Sequence, residues 1–381
     1  MASIDRTGIP QEEILFNQKS RIMKKTLLSL MFAGILVSSL NAAVITISND
    51  PKAPAQYSSI GTAITNANPG DTLMVYGSTS SYGTVTVNKQ IVLIGAGYHN
   101  PYGDVPYADN SLIGTLYLDG VGAFAASNSI ISGFSISNLY YRGNGTSSKI
   151  IEGVIIERCQ LHYIRFDDGG VTYRNDTVRN CLISGSYTYT YNMTYEGVLF
   201  HNNIYNAHYF YGYSTNTDLS GIKVRNCLFL NRPSSNLFDN TKGLTLENNI
   251  FYATEPQGCT DCAFNNNLTY ANTNNVLTGA SSANPGSVGS GNLENVNPEF
   301  ATYPPEGGAF SYDYDFTVEA AAALTAGTDG KVLGTGGGLL PYIPGENPSI
   351  PQMTEVTFPD DASSVKVGGT LDVTFKAKKQ D

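Results

Sequence analysis

Arg165, Asp167 and Asp168 stand together in one short segment, with Phe166 between the first two and Gly169-Gly170 closing it. Two carboxylates flanking a glycosidic bond can share its hydrolysis, one protonating the leaving oxygen while the other activates water or attacks the sugar. A basic side chain beside a calcium-binding acidic cluster suits another reaction, removal of the proton next to a uronate carboxylate. Arg165 with Asp167 and Asp168 is a fragment of such an arrangement. The plainer reading of the same residues is a solvated turn with an exposed ion pair. If the chain is an enzyme, these three are its catalytic candidates; the leading reading assigns no catalytic residue, no metal and no cofactor, and leaves calcium unsupported.

A second constellation is aromatic. Counted from Cys181 and from Asn203, tyrosines fall at plus six (Tyr187 and Tyr209), plus eight (Tyr189 and Tyr211) and plus ten (Tyr191 and Tyr213). Alternation puts each triplet on one face of a strand, with Phe210 free to point the other way. A narrow interior has no room for six phenols, so the six are expected to form an outward platform. Aromatic faces stack on sugar rings and phenolic hydroxyls reach sugar hydroxyls, which makes these six the candidate substrate-binding residues. Arg165, Asp167 and Asp168 are expected at equivalent turn positions on the preceding coil. The bland alternative is a tyrosine ladder that only strengthens strand stacking.

Other reactive residue types offer less. His99, His162, His201 and His208 are scattered without a nucleophile or metal-pair spacing, and His201 and His208 read as surface coil positions. Cys259 and Cys262 are spaced as C-x-x-C, but no second pair or nearby His pair completes a zinc site, so a local disulfide is the better reading. With five cysteines at least one thiol stays unpaired. Gly336 to Gly338 do not open a strand-to-helix phosphate site, so no nucleotide cofactor is implied. The net charge of −10 argues against nucleic-acid binding by charge neutralisation.

These residues need a scaffold, and a repeat supplies it. Gly153 to Cys159, Gly221 to Cys227, Gly243 to Asn249 and Gly197 to Asn203 each read as Gly, alternating apolar residues, then a polar residue before Cys or Asn; Val178 to Cys181 fits less cleanly, and Gly133-Phe134-Ser135-Ile136 begins an earlier copy. The last positions, Leu139, Cys159, Cys181, Asn203, Cys227, Asn249 and Asn267, are separated by 20, 22, 22, 24, 22 and 18 residues. A period near 22 with period-two alternation inside it describes a solenoid of strands. The Leu-x-x-Leu-x-Leu frame of leucine-rich repeats is absent, so the expected fold is an all-β parallel β-helix. Cys159, Cys181 and Cys227 then share an interior ladder with Asn203 and Asn249, as packing residues.

The segment 57–67 reads as an amphipathic turn or short helix, and a helix there would cap the open end and shield the first coil's strand edges. It is followed by Pro69-Gly70-Asp71-Thr72, a strand, a Gly-containing turn, Thr86-Val87-Asn88-Lys89, and a strand ending at Ile94-Gly95. This order resembles the first coils of right-handed β-helix proteins of the pectin-lyase-like superfamily, and with the repeats the resemblance spans residues 44 to 300. It implies the right-handed fold. It says little about activity, because that superfamily includes lyases, hydrolases, esterases and proteins with no known reaction. Asn216-Thr217-Asp218 is similar to the Asn-Thr-Asp element of polygalacturonases, but here it follows the Asp-Asp pair, and no Gly-His-Gly or Arg-Ile-Lys accompanies it. The Gly-Asp-x-Asp-Phe pattern of pectinesterases is also absent.

At the N-terminus, Met23-Lys24-Lys25 and the apolar stretch 26–40 end at Asn41-Ala42-Ala43, the order of a secretory signal peptide, and the run is short for a membrane span. Residues 1–22 read as a mis-assigned extension, 23–43 as the signal peptide, 44–340 as the β-helix, and 341–381 as a Pro-rich linker with two short strands, at 354–358 and 370–377. Removing residues 1–42 takes away five basic and three acidic residues and leaves a net charge of −12. The whole reads as an exported β-helix scaffold, secreted or on the cell surface, non-catalytic and carbohydrate-binding or adhesive. Its partner would be a polysaccharide or surface glycan, with no nucleic acid and no membrane span in the mature chain. The alternative is a polysaccharide lyase or glycoside hydrolase acting on an extracellular polysaccharide. N-terminal sequencing of the exported chain is expected to begin at Ala43 or Val44, and detection of residues 1–22 in the precursor would overturn the start at Met23.

Overall fold

The computed structural model describes residues 42–99, 110–120, 125–142, 149–166, 170–303 and 308–343, and the strands Gln352–Thr357 and Thr374–Lys378. The proposed leader therefore lies outside the described residues, apart from Ala42 and Ala43. From Val44 onward the chain winds as a right-handed parallel β-helix of about 23 residues per turn. One face is a 10-stranded parallel sheet and another belongs to a 12-stranded sheet, with two 3-stranded sheets besides. Parallel strands need a long crossover, and each coil is the crossover of the next.

Register shows why the repeats read as they do. Leu73, Leu93, Ile131, Ile156, Val178, Phe200, Val224, Leu246 and Phe264 pair in succession through the 10-stranded sheet. Each is at most 1% exposed. In-register stacking puts like positions one rung apart, so the interior fills as continuous columns. Aromatic columns do the same: Tyr205 stacks on Phe229 at 4.5 Å and Phe229 on Phe251 at 5.0 Å.

Corners explain the polar residues. Arg158, Asn180, Asn202, Asn226, Asn248 and Asn266 all adopt left-handed backbone, with φ between 51° and 58°. Asn tolerates that region better than most residues. Each precedes a buried position, and there Cys159, Cys181, Asn203, Cys227, Asn249 and Asn267 stack inward. Asn203 Oδ1 accepts from Cys181 N at 2.9 Å while its Nδ2 donates to Val178 O at 2.9 Å. Asn249 repeats this with Cys227 N and Val224 O, both at 3.0 Å. Leu139 is not on this column, contrary to the count from sequence: it pairs with Ile164, and Phe134 occupies the place, its carbonyl accepting from Gln160 N at 2.9 Å.

The helix Ile60–Asn66 buries Ile60, Ala63 and Ile64 against the first coils, and Ser59 Oγ caps it by accepting from Thr62 N. At the other end, single bridges to Val288 and Leu293 follow the last strands, so residues 271–293 make one irregular coil. The chain then turns back along the outside, where residues 326–341 bond to corner asparagines of successive coils. Asn266 donates to Ala326 O, Asn202 to Thr335 O and Gly337 O, and Asn180 to Leu340 O and Pro341 O, all at 2.8 to 3.1 Å. Beneath this strap Leu182, Ile204, Leu228, Ile250 and Leu268 form an outer apolar column covered by Tyr303, Phe316, Val318 and Leu333. Cys259 and Cys262 are disulfide-bonded, as the C-x-x-C spacing suggests. Gln352–Thr357 and Thr374–Lys378 pair antiparallel.

One buried position carries an acid. Asp176 is fully buried, at the corner position that Val154 and Val198 fill on neighbouring coils. Its Oδ1 accepts from Val154 N at 2.8 Å, and its Oδ2 has no partner. Desolvation pushes this carboxyl well above the ordinary range; the Val154 N–H opposes the shift and the charge of Glu152 adds to it. A carboxyl with a raised folded pKa binds its proton on folding, so its contribution is full below the unfolded value and is lost as pH rises through the folded one. Asp176→Asn keeps an acceptor for Val154 N without titrating. The variant is expected to be the more stable form at pH 7 and to flatten the decline of denaturation midpoints as pH rises above the unfolded carboxyl's range; an unchanged pH profile would refute this.

Candidate functional site

The outer surface of the 12-stranded sheet carries the aromatic residues. Its early coils use single long strands, Leu112–Asp119, Ser135–Arg142 and Gln160–Phe166. The next coil breaks this span into Leu182–Ser184 and Tyr187–Thr190, separated by Gly185 and Ser186. Leu161 pairs with Ile183 but Ile164 pairs with Thr188, so two residues have been inserted. His208, after left-handed Ala207, lies in the corresponding break of the following coil, its Nε2 3.0 Å from Thr188 Oγ1. Beyond the break, Thr188, Thr190, Phe210 and Gly212 point inward, so Tyr187, Tyr189, Tyr209 and Tyr211 must point out. A Cβ at Gly212 would lie 2.4 Å from Asn240 O, so only glycine allows that approach.

The expected platform forms. Tyr187 pairs with Tyr209 and Tyr189 with Tyr211. Ring centroids are 5.2 Å apart for Tyr187 and Tyr209, 5.4 Å for Tyr189 and Tyr211, and 4.7 Å for Tyr191 and Tyr213, the last two pairs stacked. Tyr213 is the most open of the six, at 60% exposure, and the other five are half-buried.

Three tyrosines that the sequence count missed extend this surface. Tyr117 stacks on Tyr140 at 5.2 Å, Tyr140 meets Tyr163 edge-on at 5.6 Å, and Tyr163 meets Tyr187 edge-on at 5.1 Å. Ring contacts thus run unbroken from Tyr117 to Tyr209 over five rungs, about 19 Å at the spacing of parallel strands. The signal was present in sequence as alternation within each long strand. It was hidden because the two-residue insertion puts the early tyrosines out of count with the later ones.

Arg165 lies in the middle of this surface. It occupies a strand, not a turn, and pairs with Tyr140 on one side and Tyr189 on the other. Its guanidinium carbon is 5.4 to 5.9 Å from the ring centroids of Tyr140, Tyr189 and Tyr191, and Nη2 donates to Tyr191 Oη at 3.1 Å. Arg142 lies over Tyr117 at 4.2 Å and pairs with Asp119 at 3.1 Å. Asp167 and Asp168 lie outside the described residues. Burial pushes the Tyr189 phenol up to about 12, with Tyr191 and Tyr211 adding to the rise and Arg165 opposing it. Tyr163 is also raised, chiefly by burial. Both hydroxyls therefore keep their protons at neutral pH and can donate hydrogen bonds.

Other candidates fall elsewhere. Asp218 pairs with Lys242 in a separate 3-stranded sheet, and its Oδ1 accepts from Ser220 N at 2.9 Å within its own turn. His201 and His208 are 8% and 1% exposed, so neither is the surface position expected from sequence. His201 ends the strand Val198–His201 in register with Arg179 and Arg225, its Nδ1 2.9 Å from Asn202 Oδ1, and His208 is covered where it meets Thr188 in the strand break. His99 stacks on Tyr312 at 3.7 Å. Among the described residues, no group of three or more His, Cys, Asp or Glu could hold a metal ion, and no helix is long and apolar enough to cross a membrane.

Stacked parallel sheets with a helix packed on the first coils make this chain a parallel β-helix. No family model and no curated protein sequence matches it. Similar solved structures include a deglycosylated pectin methylesterase from Aspergillus niger, 14% identical with a TM-score of 0.34 over 66% of this chain and 91% of that one. Pectate lyase Pel9A is 12% identical with a TM-score of 0.38 over 78% and 97% of the two chains. QnrB1, a plasmid-mediated fluoroquinolone resistance protein, is 12% identical with a TM-score of 0.24 over 47% and 91%.

Proposed function

We propose that the tyrosine face binds an extended polysaccharide, and that the chain is an exported, secreted or surface-held β-helix that presents this face to a glycan. The observation that carries the reading is the unbroken line of half-buried rings from Tyr117 to Tyr209, with Arg165 held among Tyr140, Tyr189 and Tyr191. Sugar rings offer apolar faces that stack on aromatic rings, and their hydroxyls match phenols that stay protonated. A scaffold that binds without cleaving needs nothing more.

A second reading, a lyase or glycoside hydrolase working on the bound polysaccharide, is favoured by the central guanidinium of Arg165 and the Arg142–Asp119 pair one column away. Charged groups set among stacking rings suit stabilisation or transfer of charge at a bound sugar.

Retention on a panel of immobilised polysaccharides tests the first reading. Replacing Tyr189 and Tyr211 together by Ala is expected to weaken retention at least tenfold, about 1.4 kcal/mol, with the far-ultraviolet spectrum unchanged; undiminished retention would count decisively against a binding platform. Release of reducing ends or unsaturated products, with and without calcium, separates the second reading. Cleavage that Arg165→Lys abolishes while retention persists would establish it, and intact chains across the panel would leave the binding scaffold.

A further inference from the structure

The three free cysteines occupy one interior column. Cys159, Cys181 and Cys227 are each fully buried. Leu182 N donates to Cys159 O at 3.0 Å, so Cys159 and Cys181 are on adjacent coils. Asn203 comes next, its Oδ1 on Cys181 N at 2.9 Å, and Cys227 follows it. The two neighbouring thiols sit in equivalent seats. Cys159 Sγ is 3.1 Å from Glu157 O and 3.9 Å from Ile131 O, while Cys181 Sγ is 3.2 Å from Arg179 O and 3.8 Å from Ile156 O.

Like positions on adjacent parallel rungs are about 4.8 Å apart. That lies within the roughly 4.4–6.8 Å between Cα atoms that a disulfide spans. Cys227 stands two rungs from Cys181, about 9.6 Å on the same spacing, which exceeds the reach of a disulfide.

We infer that Cys159 and Cys181 join in a disulfide across neighbouring coils when the chain folds in the presence of a disulfide oxidant. The bond ties the coil bearing Arg165 to the coil bearing Tyr189, at the step where two residues are inserted into the sheet. One thiolate attacks the oxidant's S–S bond and forms a mixed disulfide, with one oxidant thiol leaving. The second thiolate displaces the other, forming the Sγ–Sγ bond. The protein gives up two electrons and two protons, and the oxidant becomes two thiols. Because the folded chain buries both sulfurs, the reaction belongs to folding. Export, as proposed above, would supply an oxidising compartment, but the chemistry depends only on the oxidant.

The test uses the full chain made in parallel in a reducing and in an oxidising bacterial cytoplasm, denatured in iodoacetamide without reductant, digested and mapped by mass. From the oxidising host, Cys227 is expected to be the one alkylated cysteine, with Cys259 and Cys262 joined to each other and a peptide pair joined through Cys159 and Cys181, whereas from the reducing host Cys159, Cys181 and Cys227 are all expected to be alkylated. Alkylated Cys159 and Cys181 from the oxidising host would overturn the inference, as would any cross-link containing Cys227. Cys227→Ala supplies a second measurement: no alkylated cysteine is expected from the oxidising host, and two would refute the pair. Glycan retention plays no part in these readouts, so failure here leaves the tyrosine platform untouched.

Discussion

Parallel, in-register stacking of coils is the constraint on which the rest of this structure depends. Each coil hydrogen-bonds only to the coil before and the coil after, so a side chain has the same kind of residue above and below it along a column. The column from Leu73 to Phe264 is apolar throughout because a polar member would face apolar neighbours on both sides. The interior asparagines satisfy themselves along their column. Asn203, Asn249 and Asn267 each turn an amide toward the backbone of adjacent coils, so their buried hydrogen-bonding groups find partners. Asp176 is an exception: its Oδ1 accepts from Val154 N, its Oδ2 finds no partner, and desolvation pushes its carboxyl well above the ordinary range.

The same rule acts outside. Rings on successive rungs meet within contact distance whether or not a ligand is present, so an aromatic column both stabilises the sheet and builds a flat surface. What separates a ladder from a site is the exception within it. Arg165 interrupts the column Tyr117, Tyr140, Tyr189, Tyr211 and is held by rings on both sides. A guanidinium in that place adds little to strand stacking that another tyrosine would not supply, and it adds directional donors in the middle of an apolar surface.

The opposite flank is closed. A strap of residues 326–342 crosses the coils in reverse order and lends its carbonyls to Asn266, Asn202 and Asn180, whose side chains project from left-handed corners. Those asparagines therefore serve twice, setting the bend and anchoring the return. The apolar column beneath, from Leu182 to Leu268, is an outer surface that the strap takes out of water.

Period and alternation determined the fold class, the interior thiols, the Cys259–Cys262 bond and the outward turn of six tyrosines, because each depends on spacing within one coil or between adjacent copies. Contacts that depend on how far the chain departs from its own repeat were not legible. Two residues inserted at Gly185 and Ser186 moved Arg165 opposite Tyr189 and hid Tyr117, Tyr140 and Tyr163 from the count. Counting from the wrong apolar residue likewise put Leu139 where Phe134 stands. The return of the strap over Leu182 to Leu268 has no periodic signature, since it joins residues up to 244 positions apart through single hydrogen bonds and buried rings. A repeat specifies its neighbours; only the folded chain decides what lies across its surface.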